Sequence, residues 1–389
     1  MIIYFILFCA VAFLSLVEST FNYKISKFWF YVISICILLI AGTRWYIGTD
    51  FNHYLNLYNG IKNNSFSIND IEISYFILSK ITPNFQCFLM LYAFIACGLK
   101  LHIIKESNYK FSTLLLYLSF MMLSYDMGRI RQGIALSFCL LSIKYLKKDE
   151  FLKFVFTIII AGTFHKASIV FFFAWFLRNK TFKHSFVYFV GIFSLLCTFF
   201  RVDLYISDLL NYIPILKKYS SYFTIGSEFS YFSFSLTNLR RIILLVIFTI
   251  FVDKKDKINN IMFNCFLMST VIFYVFRDFP VISERVSYYF GFIEIFLIPQ
   301  IFAKFKQCFR GIIGCFIVIY SLYYYLNILT LKGDIVFNQP YIAYQSWLFN
   351  RNFFSSSYNY ILLIILLTVY TLFFYKQCKN KKNIFKIHL

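Results

Sequence analysis

Thirteen apolar stretches, separated by polar loops, cover about 218 of the 389 residues. They run over 1–18, 28–43, 85–104, 111–126, 130–146, 151–164, 167–177, 185–200, 239–252, 259–276, 286–303, 310–331 and 358–375. Most approach the roughly 20 residues that a helix needs to cross hydrocarbon, and some are shorter. No water is present there to pair a backbone amide, so only helices and closed barrels can cross. A barrel would repeat segments of alternating polarity about ten residues long, and no such pattern is sustained here. The chain is therefore predicted to be all-α: one polytopic integral membrane domain over 1–389 with about 13 transmembrane helices. Composition excludes an ordinary soluble domain, which carries about 25% charged residues. Here 14% are charged and 60% hydrophobic, with a mean hydropathy of +0.70.

The formal charge of +21 would in a soluble protein suggest a nucleic-acid partner, so its distribution decides what it means. Alternate loops are short and lysine-rich, which by the positive-inside rule makes them cytoplasmic. With Lys100 included, that side holds 23 Lys and Arg against six acidic residues, and the other side holds 15 against ten. Most of the excess is thus a topology signal, and no nucleic acid is expected. The outer side carries mixed charges and the longer loops, 44–84, 201–238 and 332–357, so chemistry is expected there. No cysteine pair has the spacing of a zinc site, and the only outer histidines are His53 and His165. No metal and no cofactor are expected.

Residues 151–177 combine two very apolar halves with His165 and Lys166 between them. A charge at the bilayer centre costs about 2.5–3.5 kcal/mol even on lenient scales, and a helix break beside water lowers that cost. A broken pair of helices meeting at His165 and Lys166 is the preferred reading.

Four outer segments carry the candidate chemistry. In 41–58, Arg44 reads as an interfacial anchor or a ligand cation, and Thr49 or Asp50 as the cap of a short helix. In 124–135, α-helical spacing lets Asp126 pair with Arg129 and turns Arg131 about 200° away from it. Arg131 is then the free cation, flanked by Gln132, with Gly133 permitting a close approach. In 163–168, His165 and Lys166 stand at membrane depth, where ionisable groups usually have a function. In 277–289, Arg277 and Asp278 can neutralise each other. Glu284 opens a helix at its positive dipole end, and Arg285 shares a face with Tyr288. Arg240 and Arg241 read as headgroup anchors. Arginines from separate segments suit a polyanion, since guanidinium forks grip phosphate oxygens in pairs. A neighbouring carboxylate or histidine, Asp50, Glu284 or His165, can take a proton from an attacking hydroxyl.

GTRWYIGTDFNHY, then MGRIRQGIA, GTFHKAS and ERVSYYF, in that order, resemble the EpsG/Wzy-type polysaccharide polymerases over roughly residues 40–300. The resemblance implies a GT-C-like glycosyltransferase of the bacterial inner membrane, active on the periplasmic face. It would join undecaprenyl-pyrophosphate-linked oligosaccharide repeats into O-antigen, capsule or exopolysaccharide. Its partners would be that lipid-linked substrate, membrane lipid and a chain-length regulator protein. Carried onto matching positions it points to Arg44, Asp50, Arg131, Gln132, His165 and Arg285. The chain has no Arg followed eleven residues later by Gly, a pattern of some O-antigen polymerases, so their loop mechanism is not carried over. An O-antigen ligase and a lipid-linked oligosaccharide flippase are the rival readings. A flippase needs polar groups along a path through many spans, whereas these crowd one face.

Overall fold

The computed structural model describes residues 2–21, 26–200, 236–277, 281–331, 340–341, 344–348 and 357–379. Residues 201–235 of the loop 201–238 and most of 332–357 lie outside these, as does Asp278. In chain order the helices are α1 (Ile2–Phe21), α2 (Lys27–Gly42), α3 (Phe51–Lys62), α4 (Ile73–Ile81), α5 (Phe85–Ile104), α6 (Lys110–Tyr117), α7 (Ile130–Lys147) and α8 (Phe151–Phe164). They continue with α9 (Ala174–Leu177), α10 (His184–Cys197), α11 (Leu236–Phe251), α12 (Lys257–Val275), α13 (Ser287–Gly291), α14 (Glu294–Gln300), α15 (Gln307–Leu329) and α16 (Ser357–Lys379). Two segments, Leu118–Gly128 and Val281–Val286, are π-helical, and Lys166–Phe173 is a 3₁₀ helix.

The thirteen apolar stretches are helical over most of their length, and no strand occurs among the described residues. The expected span count is not reached on length and composition. Four helices are long and apolar enough to cross a membrane: α1, α5, α12 and Phe309–Leu329 within α15. The bent pair Ile282–Gly291 and Glu294–Lys304 makes up to five. The helix break expected inside 151–177 is present at His165, where α8 gives way to the 3₁₀ run.

The chain divides into two compact units, one of Met1–Tyr145, Leu152–Ile169 and Phe302–Leu389, the other of Leu146–Phe151 and Val170–Ile301. In the first, α1 packs on α6 and α15, and α2 packs on α5. Glu18 of α1 accepts the backbone N–H groups of Phe111 and Ser112 at 3.0 and 3.1 Å. It thereby satisfies donors that the first turn of α6 leaves open, at the helix end that favours an anion. An aromatic lattice joins α4 to α5: Tyr75 lies 4.8 Å from Phe88, and Phe88 lies 4.4 Å from Tyr92, centroid to centroid. Such pairs add about 0.5–1.5 kcal/mol each beyond the area they bury.

In the second unit, α12 is the buried axis, and two of its asparagines donate to backbone carbonyls. The Asn260 amide donates to the Lys180 carbonyl at 2.8 Å, and the Asn264 amide donates to that of Leu177 at 2.9 Å. Asp149 accepts from Arg178 at 2.8 Å and also pairs with Lys257, joining three loops at one end of the unit. Arg240 is no headgroup anchor: it grips both carboxylate oxygens of the buried Glu294, at 2.8 and 2.9 Å. A buried carboxylate needs such a partner, and α11 supplies it near its start.

Candidate functional site

The end of the first unit that carries the 43–50 turn is assembled from three backbone features. The turn after α2 holds Gly48 at φ +115°, and a Cβ there would collide with the Met127 carbonyl. Only glycine satisfies both the positive φ and the close approach, so this turn is pinned to the end of the π-helical segment. Gly128 and Gly133 extend the contact: an added Cβ at Gly128 would stand 2.8 Å from the Tyr341 Oη, and one at Gly133 would stand 2.6 Å from the Tyr125 carbonyl. The third feature is the π-helix, whose i→i+5 bonding ends at Arg129 with φ −85° and ψ 66°. There the chain re-enters α-helix at α7.

That π-helix overturns the phase assumed for the two arginines. Asp126 does not pair with Arg129. Its carboxylate accepts from the Lys100 Nζ at 2.6 Å and from the Tyr117 Oη at 2.7 Å. Lys100 also donates to the Gly133 carbonyl at 2.7 Å and to the Ser137 Oγ at 2.8 Å. The side chains of Lys100 and Asp126 are 0% exposed, so Lys100, counted above with the cytoplasmic lysines, is a core residue. Arg129 instead lies over the Tyr125 ring at 6.0 Å.

Nor is Arg131 free. In the first turn of α7 it pairs with Glu72, the residue preceding α4. Its guanidinium lies 5.5 Å from the ring of Tyr54 and 6.0 Å from that of Tyr75, distances at which the ring face attracts a cation. The Tyr75 hydroxyl donates to the Tyr54 carbonyl at 2.7 Å, fixing α4 to α3. Burial pushes the Tyr54 phenol up to about 12, so it keeps its proton at physiological pH. The Arg131 and Glu72 side chains remain 22% and 14% exposed. Within this pocket the Arg131 Nε and the Tyr92 Oη are buried without a hydrogen-bond partner. A buried unpaired donor costs about 1–3 kcal/mol, and a bound acceptor would relieve that cost.

The other predicted site residues fall into three groups. Asp50 is the N-cap residue of α3, as expected, but its side chain makes no capping bond. It is half-buried one turn before Tyr54. The Ser74 Oγ donates to the Thr163 Oγ1 at 2.6 Å and the Phe164 ring lies 6.0 Å from that of Tyr92. These contacts bring the end of α8 to the same pocket, with His165 half-buried and Lys166 exposed just beyond it. Arg44 and Gln132 are buried. Arg44 neither snorkels nor faces an open space: it is 1% exposed, and its guanidinium donates to the carbonyls of Ile47, at 3.2 Å, and Ala41. It closes the turn that carries Gly48. Glu284, Arg285 and Tyr288 belong to the second unit. Glu284 and Arg285 are exposed on the π-helical turn, and Tyr288 is buried in α13.

Sequence reasoning missed Glu72, Tyr54, Tyr75 and Tyr92. Glu72 was legible only as an acid ahead of a short apolar run, a helix-start signal; nothing there indicates Arg131, 59 positions away. Among the described residues no group of three His, Cys, Asp or Glu side chains could hold a metal ion. A cavity of about 620 Å³ along α1 and α2, lined by residues such as Leu7, Trp29, Ile33 and Leu39, contains no charged side chain. Its lining is almost wholly apolar, with Cys36, Thr43 and Tyr344 among the few exceptions.

The sequence model of the EpsG family matches residues 27–346. No curated protein and no solved structure matches the chain.

Proposed function

The chain belongs to the EpsG family, and on that premise we propose that it is a polysaccharide polymerase. It joins undecaprenyl-pyrophosphate-linked oligosaccharide repeats on the periplasmic face of the bacterial inner membrane. The observation that carries this reading is Arg131, a guanidinium set among tyrosines at the same end of the first unit as the 43–50 turn, with Nε still lacking a partner.

Two pyrophosphate oxygens suit the fork of one arginine, and the protonated Tyr54 hydroxyl is a further donor beside it. In glycosyl transfer from such a donor, an acceptor hydroxyl attacks the anomeric carbon and the pyrophosphate departs with the bonding electrons. Arg131 would hold the charge that develops on the leaving oxygen, an electrostatic role in which loss of one donor costs about 10² to 10³ in rate. Lys166 offers a second cation at the rim. Asp50, His165 and Glu284 are the candidate bases from the sequence, the first two in the same unit as Arg131, and Arg44 acts at one remove by holding the 43–50 turn.

The test is the polymer made by a deletion strain complemented with wild type or Arg131→Ala at matched expression. Single repeats converted to long chains by wild type but not by Arg131→Ala support the reading. Full-length polymer with Arg131→Ala refutes the central assignment. Loss of even single repeats on the acceptor in the deletion strain would instead indicate a ligase or a flippase.

A further inference from the structure

Glu72 is a carboxylate whose position is hard to explain by fold alone. It stands at the cap position of α4, yet its side chain does not bond the helix N-terminus. Instead it reaches Arg131, and the pair stays partly open to the outside. The other described carboxylates at this end of the first unit differ from it. Asp126 is sealed by Lys100 and Tyr117, and Asp70 accepts from the Ser67 backbone N–H and hydroxyl of its own loop, at 2.8 and 2.7 Å. Asp50 has no cation in contact among the described residues, so none of those couples it to the arrival of an anion. Glu72 is the one whose partner is the proposed phosphate-binding group.

We propose that Glu72 is a catalytic residue that exchanges partners: in the empty site it occupies Arg131 in place of a phosphate, and with substrate bound it accepts the acceptor sugar's hydroxyl proton. This rests on the polymerase reading above. The exchange is local, because the pair is partly exposed and Arg131 keeps a buried Nε without a partner, so a phosphate oxygen arriving at the exposed edge can take over the guanidinium as the carboxylate lets go. Once released, the carboxylate lies beside the new dianion, and a like charge favours its taking a proton. The hydroxyl oxygen then forms the bond to the anomeric carbon as its proton passes to Glu72. The bond from that carbon to the pyrophosphate oxygen breaks, and its electron pair leaves with undecaprenyl pyrophosphate against Arg131 and Tyr54. Proton loss from Glu72 to water restores the carboxylate, which returns to Arg131 and helps to expel the pyrophosphate.

The experiment uses the full chain in nanodiscs, with lipid-linked repeats extracted from the deletion strain as the probe, and compares wild type, Arg131→Ala, Glu72→Gln and Glu72→Asp. Glu72→Gln keeps the shape and a hydrogen-bonding carbonyl for Arg131 but cannot take a proton. Its kcat should fall by about 10² to 10⁴, the usual worth of a general base, with KM unchanged or lower because the competing anion is gone. Glu72→Asp should recover part of kcat. A Glu72→Gln variant at wild-type kcat, or one that only raises KM, overturns the proposal and leaves Glu72 as a packing partner. Thermal melting of each variant identifies loss of fold, in which case the Glu72→Asp kcat decides: unimproved turnover in a folded Asp variant counts against the proposal. If wild type makes no polymer from this probe, the polymerase reading itself fails; if wild type is active, Arg131→Ala inactive and Glu72→Gln normal, only the role of Glu72 fails.

Discussion

The first unit contains two ion pairs tied to one short stretch of chain, and they are built to opposite ends. Lys100 and Asp126 are sealed, 0% exposed, and the ammonium has three acceptors around it. Arg131 and Glu72, five residues further along the chain from Asp126, are partly open and leave a guanidinium nitrogen unpaired. A buried charge with its full set of partners has no reason to move, whereas one with a vacant donor and access to the outside can change partner. The sealed pair bridges the π-helix to the first turns of α7 and so fixes where Arg131 begins. The open pair is where the proposed function places the ligand. Ion pairing as such therefore says little about role; completeness of hydrogen bonding and exposure separate the strut from the site.

The strongest way to break this contrast is Lys100→Met, which strands Asp126 in the interior. Removing one member of a buried pair costs about 3–5 kcal/mol, so the detergent-solubilised protein should melt far lower and express poorly. Lys100→Met with Asp126→Leu should recover much of that stability, since apolar replacements of a buried pair are often neutral. If the single variant melts like wild type, the sealed pair is not a strut. Arg131→Ala should show the reverse pattern, a rate loss of about 10² to 10³ with melting little changed. A smaller effect is expected from Gly133→Ala, whose methyl group would press on the Tyr125 carbonyl and the Asp126 Oδ1. Overpacking of this kind costs about 1–3 kcal/mol. Because it pushes on the strut two residues from Arg131, it should lower both melting temperature and chain length.

The smallest effect belongs to the second unit. Hydrogen bonds from Lys257 and Arg178 hold the Asp149 carboxyl below the usual carboxylate range. A depressed folded value means that the pair stabilises the fold above the unfolded value of about 3.9, and that this contribution disappears as pH falls through the folded value. The side chain is 44% exposed, so salt and water screen it, and Asp149→Asn should cost only about 0.2–1 kcal/mol at pH 7. The difference between the two proteins should shrink towards zero as the melts are taken to strongly acid pH. A constant difference across that range would assign the loss to packing instead.

What could be read from the sequence follows the range of the forces involved. The apolar stretches and the break at His165 are local patterns, set by hydropathy within a few residues, and they were legible; so was the helix opening after Asp50, although its side chain makes no capping bond. The pairing of charges was not. LSFMMLSYDMG carries no mark that separates a π-helix from an α-helix, yet the wider turn resets the phase of everything after it. The 100° step that made Arg129 the partner of Asp126 and Arg131 the free cation therefore failed. Lys100 looked like one more inner-face lysine because its partners lie 26 to 37 positions away. Glu72 reaches Arg131 only because α3, α4 and α5 interlock through Tyr54, Tyr75, Phe88 and Tyr92, a packing that composition does not announce in a chain with 31 tyrosines.

If Arg131 is the pyrophosphate-binding group proposed above, its pairing with Glu72 also bears on selectivity. A bilayer surface is crowded with phosphate headgroups, and a bare guanidinium at that depth would be occupied nearly all the time by whichever lipid drifted past. A resident carboxylate sets a threshold: a single phosphate offers little more than the partner it must evict, while a pyrophosphate brings more charge and more acceptors to the same fork. Neutralising the cation in advance makes the empty site inconspicuous to the commonest anion around it and leaves it responsive to a rarer, more highly charged one.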